Sequence, residues 1–364
     1  MEIFSYSSFD YFSHSRPSAY INGNYVVLYE PDGTRVKRTL RHGEDFKPDF
    51  PDSIDIKITN KCSRGCPFCH ESSIPNGDSF DLEKTKQILD QLPNFGIELA
   101  IGGGNVLEVL PDVIKLIRWC KDSKNFLPRL TLRYEDLIDL KDKKLIDGDT
   151  FDTWGSGLTR LDDSFKKNDD YYEIQDLLTS CEGLGISINK YEPDNIISQL
   201  TTPIFIRRYP AFVYHVILGI VPEDDFMKMV NDPKSYDRIL ILGYKQFGRA
   251  KNTKLPDDKL NSWKEAVRKV LWKLRISRDS KKIVIGFDNL AIEQLELESV
   301  LLKSEWSSVY FGEEFSSTMY IDAVKGEFAP TSRSPQEERV SWDSINILDY
   351  FKENKNDFFI NRGK

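Results

Sequence analysis

The residues with the clearest chemical potential lie in IDIKITNKCSRGCPFCHESS, positions 54–73, where Cys62, Cys66 and Cys69 place three of the chain's five cysteines within eight positions. Thiolates are soft metal ligands. Such crowding on a loop of small and polar residues points to metal binding in a reducing compartment, and five cysteines in 364 residues are too few for a disulfide scaffold. The spacing C-x3-C-x2-C carries the argument further. Three thiolates can take three corners of a [4Fe-4S] cubane and leave the fourth iron without a protein ligand, open to a chelating molecule.

Three other readings compete. Cys66-Pro67-Phe68-Cys69-His70 matches the C-x-x-C-H haem attachment signal, but that chemistry requires export and leaves Cys62 without a role. Zinc held by the three cysteines and His70 has acceptable ligand types, yet ligands so closely spaced usually stabilise small modules rather than open a long series of βα units. Plain buried cysteines would not explain three thiols alongside Gly65 and Pro67.

The elements around this loop must hold it. From Ile54 onward, β-rich runs alternate with amphipathic helical segments, the pattern of a mainly parallel α/β sheet. The expected strands are Ile54–Thr59, Glu98–Gly102, Leu127–Arg133, Gly185–Asn189, Val213–Val221, Ile239–Tyr244 and Ile283–Phe287. The expected helices are Leu82–Leu92, Leu110–Lys121, Asp194–Leu200, Asp224–Val230 and Asp258–Arg275. Residues 1–50 form an N-terminal β-hairpin element, with Tyr20–Tyr29 and Arg35–Leu40 joined through Glu30-Pro31-Asp32-Gly33. Residues 51–290 form the main domain, with Asp149–Ser180 as an insertion. Residues 291–364 form a C-terminal extension with a strand at Met319–Val324 and a helix at Ile345–Phe351.

C-x3-C-x2-C just after a first strand resembles the radical S-adenosylmethionine (SAM) superfamily, with Phe68 at the aromatic position before the third cysteine. The resemblance covers roughly residues 54–290 and implies a partial (β/α)6-like TIM barrel of the radical SAM type. It also implies a [4Fe-4S] cluster on Cys62, Cys66 and Cys69, SAM as co-substrate, and an external one-electron donor. In that family the backbone near the aromatic meets adenine. Gly102-Gly103-Gly104-Asn105 is similar to the glycine-rich turn that meets SAM's amino group, although Gly104 stands where an acid is customary. By the same analogy Ser187 or Asn189 meets the ribose, and Lys245 pairs with the carboxylate. FGEEFSSTMYIDAVKGEFAPTS resembles the SPASM extensions of peptide-modifying members without their cysteines, and so favours a peptide or protein substrate.

Chemistry in such barrels gathers at the C-terminal ends of strands. That rule nominates Arg133 and Tyr134, Ser187 and Asn189, Tyr244 and Lys245, and Asp288 and Asn289, while His70 and Glu71 follow the last cysteine. His70, Glu71, Arg133 and Asn289 are the substrate candidates; Cys181, Tyr244 and Asp288 are the catalytic ones. Cys120 reads as a core thiol on the apolar side of a helix, and His215, inside VYHVILGIV, as a satisfied core histidine. The formal net charge of −8 disfavours nucleic acid as partner. The basic run Lys264–Lys282 reads as the solvated rear of a helix that places Leu260, Trp263, Val267, Val270, Leu271 and Leu274 at helical spacing on one buried face. No stretch reaches the roughly 18 apolar residues of a membrane span, and no export signal opens the chain, so a soluble cytoplasmic protein is expected. The leading functional expectation is radical modification of a peptide: excision, crosslinking or epimerisation. The alternatives are a radical SAM enzyme acting on a nucleotide or small metabolite, and a non-enzymatic metal-binding protein.

Overall fold

The computed structural model describes residues 19–29, 35–146, 169–197, 211–276, 283–310 and 314–356. Its first strands, β1 (Ala19–Asn22), β2 (Tyr25–Tyr29) and β3 (Arg35–Thr39), form a three-stranded antiparallel sheet rather than a single hairpin. The expected Glu30–Gly33 turn lies outside the described residues.

The second sheet begins with β4 (Ser53–Thr59), whose side chains alternate as a half-exposed strand must. Ile54, Ile56 and Ile58 are buried in the core, whereas Asp55, Lys57 and Thr59 point to the other face. The chain continues through α1 (Leu82–Asp90), β5 (Glu98–Gly103), α2 (Leu110–Lys124), β6 (Leu127–Arg133), α3 (Tyr134–Asp142), α4 (Asp169–Ser180) and β7 (Gly183–Ser187). It then runs through β8 (Ala211–Ile217), α5 (Glu223–Asn231), β9 (Arg238–Leu242), α6 (Asp257–Ile276), β10 (Val284–Phe287), α7 (Asn289–Leu295) and α8 (Lys303–Val309). The last elements are β11 (Thr318–Asp322), β12 (Glu327–Ala329), β13 (Val340–Ser341) and α9 (Ile347–Asn354).

Strand order is β10-β9-β8-β7-β6-β5-β4-β11-β12-β13. From β4 to β10 every strand is parallel to its sequence neighbour. Each crossover therefore steps the same way, and because such crossovers share one hand, the helices collect on one face and the sheet curls as in a barrel. Hydrogen bonding does not close it: among the described residues β10 and β13 are its two ends. This is the expected partial-barrel α/β architecture.

Four features depart from the sequence expectations. The helix α3 starts directly after β6, with no loop to announce it. Within Asp149–Ser180, α4 packs on α2 as part of the helical layer, while 147–168 lie outside the described residues. The apolar run from Val213 stops being a strand at Ile217, because Gly219 adopts φ +74° and a Cβ there would lie 2.0 Å from Leu255 Cδ1. In α6, Trp263, Val267 and Val270 are buried as expected, but Leu274 near its end is exposed. The expected Asp194–Leu200 helix runs into residues 198–200, outside the described set. No described helix is long and apolar enough to cross a membrane.

The C-terminal strand β11 pairs in parallel with β4, setting Tyr320 opposite Asp55 and Asp322 opposite Lys57. At the other end of β4 the small sheet docks through Asp52, which is fully buried. Its carboxylate accepts hydrogen bonds from Asn22 Nδ2 (2.7 Å), Tyr25 Oη (2.7 Å) and Tyr20 Oη (3.3 Å), and pairs with Lys37 Nζ at 2.6 Å. Burial alone would raise the pKa of Asp52, but Lys37 and Arg35 hold it below the usual carboxylate range. Removing one partner of a buried ion pair strands the other charge, so Asp52→Ala is expected to lower unfolding free energy by about 3–5 kcal/mol. A chemical denaturation midpoint equal to wild type would show that the pair does not hold the two sheets together.

Candidate functional site

The cysteine loop leaves β4 at Thr59 and is pinched at its base. Cys62 N–H donates to Ile74 O (2.9 Å) and Ile74 N–H to Asn60 O (2.9 Å). Inside the pinch, Cys69 N–H donates to Cys66 O (3.2 Å), coiling Cys66–Cys69 into one short turn a few residues beyond Cys62. Cys62 is buried; Cys66 and Cys69 are half-buried, and none is in a disulfide. The thiols are close enough to affect one another: burial pushes the Cys66 pKa up, Arg133 opposes this, and Cys62 and Cys69 add to the rise.

Three neighbours hold the loop. The first is the end of β5, where Gly104 N–H donates to Thr59 O and Asn105 N–H to Lys61 O, both at 2.7 Å. A Cβ on Gly103 would lie 2.5 Å from Thr59 O, and one on Gly104 2.2 Å from Lys61 O, so the glycine run lets two backbones touch. Gly102 differs. A Cβ there would meet nothing within 4 Å, leaving its backbone open to the inner face. Just beyond, Glu108 accepts from Ser63 N–H (2.9 Å) and Ser63 Oγ (2.8 Å).

The second neighbour is α3, whose Asp136 accepts from Arg64 Nε at 3.1 Å and whose Asp139 also pairs with Arg64. The third is the segment after β9. Arg249 donates from its backbone N–H to Cys69 O (3.0 Å), from Nε to Cys66 O (2.8 Å) and from Nη1 to Ser73 O (2.7 Å). Glu108, the Arg64 pairings and Arg249 carry no local sequence signature, and sequence reasoning did not find them.

The face of the sheet turned away from the core is strongly polar. Neighbouring strands bring Asp55 and Lys57 (β4), Glu98 (β5), Arg129 and Arg133 (β6), Ser187 (β7) and His215 (β8) to it. A closed TIM barrel packs branched apolar side chains here; this one presents charge and glycine. Asp55 keeps exposed surface although protein surrounds it, as a residue lining a hollow does. Burial raises its pKa to about 6, and Lys245 opposes the rise.

Several nominated residues meet around the cysteines. Arg133 Nη1 lies 3.0 Å from Cys66 Sγ and Nη2 lies 3.0 Å from Glu135 Oε2, while Asn189 Nδ2 donates to Glu135 Oε1 at 3.2 Å. Glu71 pairs with Lys57 Nζ (2.7 Å) and His70 Nε2 (3.2 Å), and Lys57 also reaches Asp322 (3.3 Å). Against its burial, His70 and Lys57 hold the Glu71 pKa down to about 2, whereas burial lowers that of His70. Phe68 is half-buried against the core, and Ser187 ends β7 beside Arg133 and His215 in register. Lys245 Nζ donates to Ser332 Oγ at 2.9 Å, and its charge works to lower the pKa of Asp55, Asp288 and His70.

Others are placed elsewhere or already engaged. Asp288 caps α7, accepting from Ala291 N–H (2.7 Å) and Gly243 N–H (2.9 Å). Tyr244 is buried, with its backbone bonded to Gln294. Asn289 lines a groove of about 1000 Å³ shared with Trp306, Tyr310 and Arg333. Cys181 is buried just before β7, at the end of the strand opposite the cysteine loop, and burial pushes its thiol up. Cys120 is a core thiol as expected. His215 is not a satisfied core histidine. It lies half-buried on the inner face with its ring against Gly185, where a Cβ would fall 2.2 Å from Cε1, and burial lowers its pKa to about 4.

The donor set suits an iron–sulfur cluster: three soft sulfurs sit on one pinned loop with open space at Gly65 and Gly102. Among the described residues no three His, Cys, Asp or Glu side chains converge on a single-ion site. Cubane ligands bind separate irons and need not converge.

No protein-family model matches the chain, and no curated protein sequence matches it significantly. Its fold is similar to that of SuiB from Streptococcus suis. In the complex with precursor peptide SuiA the TM-score is 0.55 at 13% identity, covering 84% of this chain and 65% of SuiB. With S-adenosylmethionine bound to SuiB the values are 0.55 and 12%, covering 84% and 66%. The chain therefore spans just under two thirds of the SuiB length. Parallel strands in sequential order, an open edge and this likeness together identify the fold as a partial α/β barrel similar to that of SuiB.

Proposed function

We propose that this chain is a radical SAM enzyme acting on a peptide or protein. The observation that carries the reading is the loop of Cys62, Cys66 and Cys69, pinned at the C-terminal ends of parallel strands and open toward a polar inner face. SuiB's complexes with S-adenosylmethionine and with SuiA support SAM and a peptide as the two ligands.

The cysteines would hold a [4Fe-4S] cluster. When bound, it supplies the electron that splits SAM into methionine and a 5′-deoxyadenosyl radical able to abstract hydrogen from carbon. The protein's own part is to bind and orient. The open backbone at Gly102 and the adjoining Gly103, Gly104 and Asn105 would receive SAM's amino group, Ser187 or Asn189 its ribose, and Lys245 its carboxylate. The backbone near Phe68 would meet adenine. Arg133, already against Cys66 Sγ, would donate to a ligand sulfur and so tune the cluster's potential. His70 and Arg133 would face the substrate, whereas Glu71 is held in its ion pairs. Because Cys181 lies at the far end of the sheet, the described residues offer no cysteine hydrogen donor at the mouth. That favours crosslinking, rearrangement or excision over epimerisation.

The first test is 5′-deoxyadenosine formation from SAM by anaerobically reconstituted, reduced protein. Wild type is expected to form it, and protein with Cys62, Cys66 and Cys69 all changed to alanine is not. Purified protein that carries zinc and takes up neither iron nor sulfide would overturn the proposal in favour of a metal-binding role.

Lys245→Ala should weaken SAM binding to reconstituted protein about tenfold, the loss of one charge-assisted contact. Equal affinity by equilibrium dialysis would remove Lys245 from the SAM site.

A further inference from the structure

The segment after β9 reaches the cysteine loop from β4, five strands away in the sheet order. It crosses the mouth of the curved sheet to do so. At the contact, Gly248 adopts φ +56° and approaches so closely that a Cβ would lie 2.4 Å from His70 O and 2.7 Å from Ser72 Oγ. The next residue, Arg249, takes the main-chain carbonyls of Cys66 and Cys69 and that of Ser73. Two of the three candidate ligand cysteines are thus tied through their own backbones to one residue of the segment after β9. The third, Cys62, is fixed by the base of the loop. Arg249 Nη2 is buried and has no acceptor among the described residues, leaving a donor for an anionic group bound in the loop.

We propose that Arg249 is a positioning residue that sets the spacing of the cluster thiolates and retains the cluster, with Gly248 as the contact point that lets it reach the loop. The inference rests on the cluster reading of Cys62, Cys66 and Cys69. A planar guanidinium can serve two carbonyls from fixed positions while the backbone N–H serves a third; a lysine ammonium lacks that rigid fork.

The test uses the full chain with Arg249→Met, Arg249→Lys and Gly248→Ala. The circular dichroism and melting temperature of each apo-protein are measured before anaerobic reconstitution. The readouts are iron and sulfide per chain, the rate of iron release to an added chelator, and the electron paramagnetic resonance spectrum of the reduced cluster. The expected result is apo-protein folding unchanged in at least one variant at each position, iron release faster by about tenfold or more, an altered spectrum, and no rescue by lysine. Iron release and spectra equal to wild type in normally folded variants would overturn the proposal. So would cluster loss that only tracks a lower apo-protein melting temperature. If wild type itself takes up no iron and sulfide, the cluster reading falls as well, which separates that failure from this one.

Discussion

The arrangement depends on a contact across the mouth of an open sheet, in which a segment after β9 holds the carbonyls of Cys66 and Cys69. Flat sheets cannot make such a contact, because β9 and β4 are separated by four intervening strands. Seven parallel strands in sequential order supply the curl, and Gly248 supplies the last approach. The cysteine loop is then held from three directions: Gly103 and Gly104 at the end of β5, Asp136 and Asp139 on α3, and Arg249 opposite. Each contact uses backbone or charged groups rather than apolar packing. The loop can therefore stay partly solvated while its main chain is fixed.

The same sheet has an unusual interior for a barrel, and several of its charges are held in ion pairs. Lys57 lies between Glu71, just beyond the last cysteine, and Asp322 on β11. That places the C-terminal strand in electrical contact with the cysteine loop through one buried ammonium. Arg339 adds a second cation beside Asp322 and stacks over Tyr320. At the opposite end, Asp52 gathers Lys37, Asn22 and two tyrosines, closing the floor with a polar knot where an apolar plug would serve a closed barrel. Buried pairs of this kind contribute little net stability over an apolar substitute, but they strongly penalise arrangements in which one partner is lost. They therefore act mainly to specify how the small sheet, the barrel and β11 fit together.

The residues that sequence reasoning located are those whose meaning is local. The alternation of Ile54, Ile56 and Ile58 with Asp55, Lys57 and Thr59 is a period of two that any strand must obey, and β4, β5 and β6 fall within a residue of the expected bounds. The helical spacing of Trp263, Val267 and Val270 likewise announced α6. The helix α3 escaped because it shares its boundary with β6, so no turn residue separates the two periods. His215 was misread because an apolar run does not say which alternate side chains face helices and which face a hollow; only its register with Ser187 and Leu240 decides that.

From sequence alone came the thiol chemistry, the parallel βα plan and the glycine run at the end of β5, since spacing and periodicity act over a few residues and survive in any correct fold. Tertiary structure decided the rest: that the glycines serve contact with the cysteine loop, that Cys181 lies at the wrong end of its strand to reach it, that β11 completes the first edge, and that Arg249 holds the loop. These depend on strand register and sheet curvature, which bring together groups as far apart as Cys66 and Arg249, and no local pattern encodes a distance across a curved sheet.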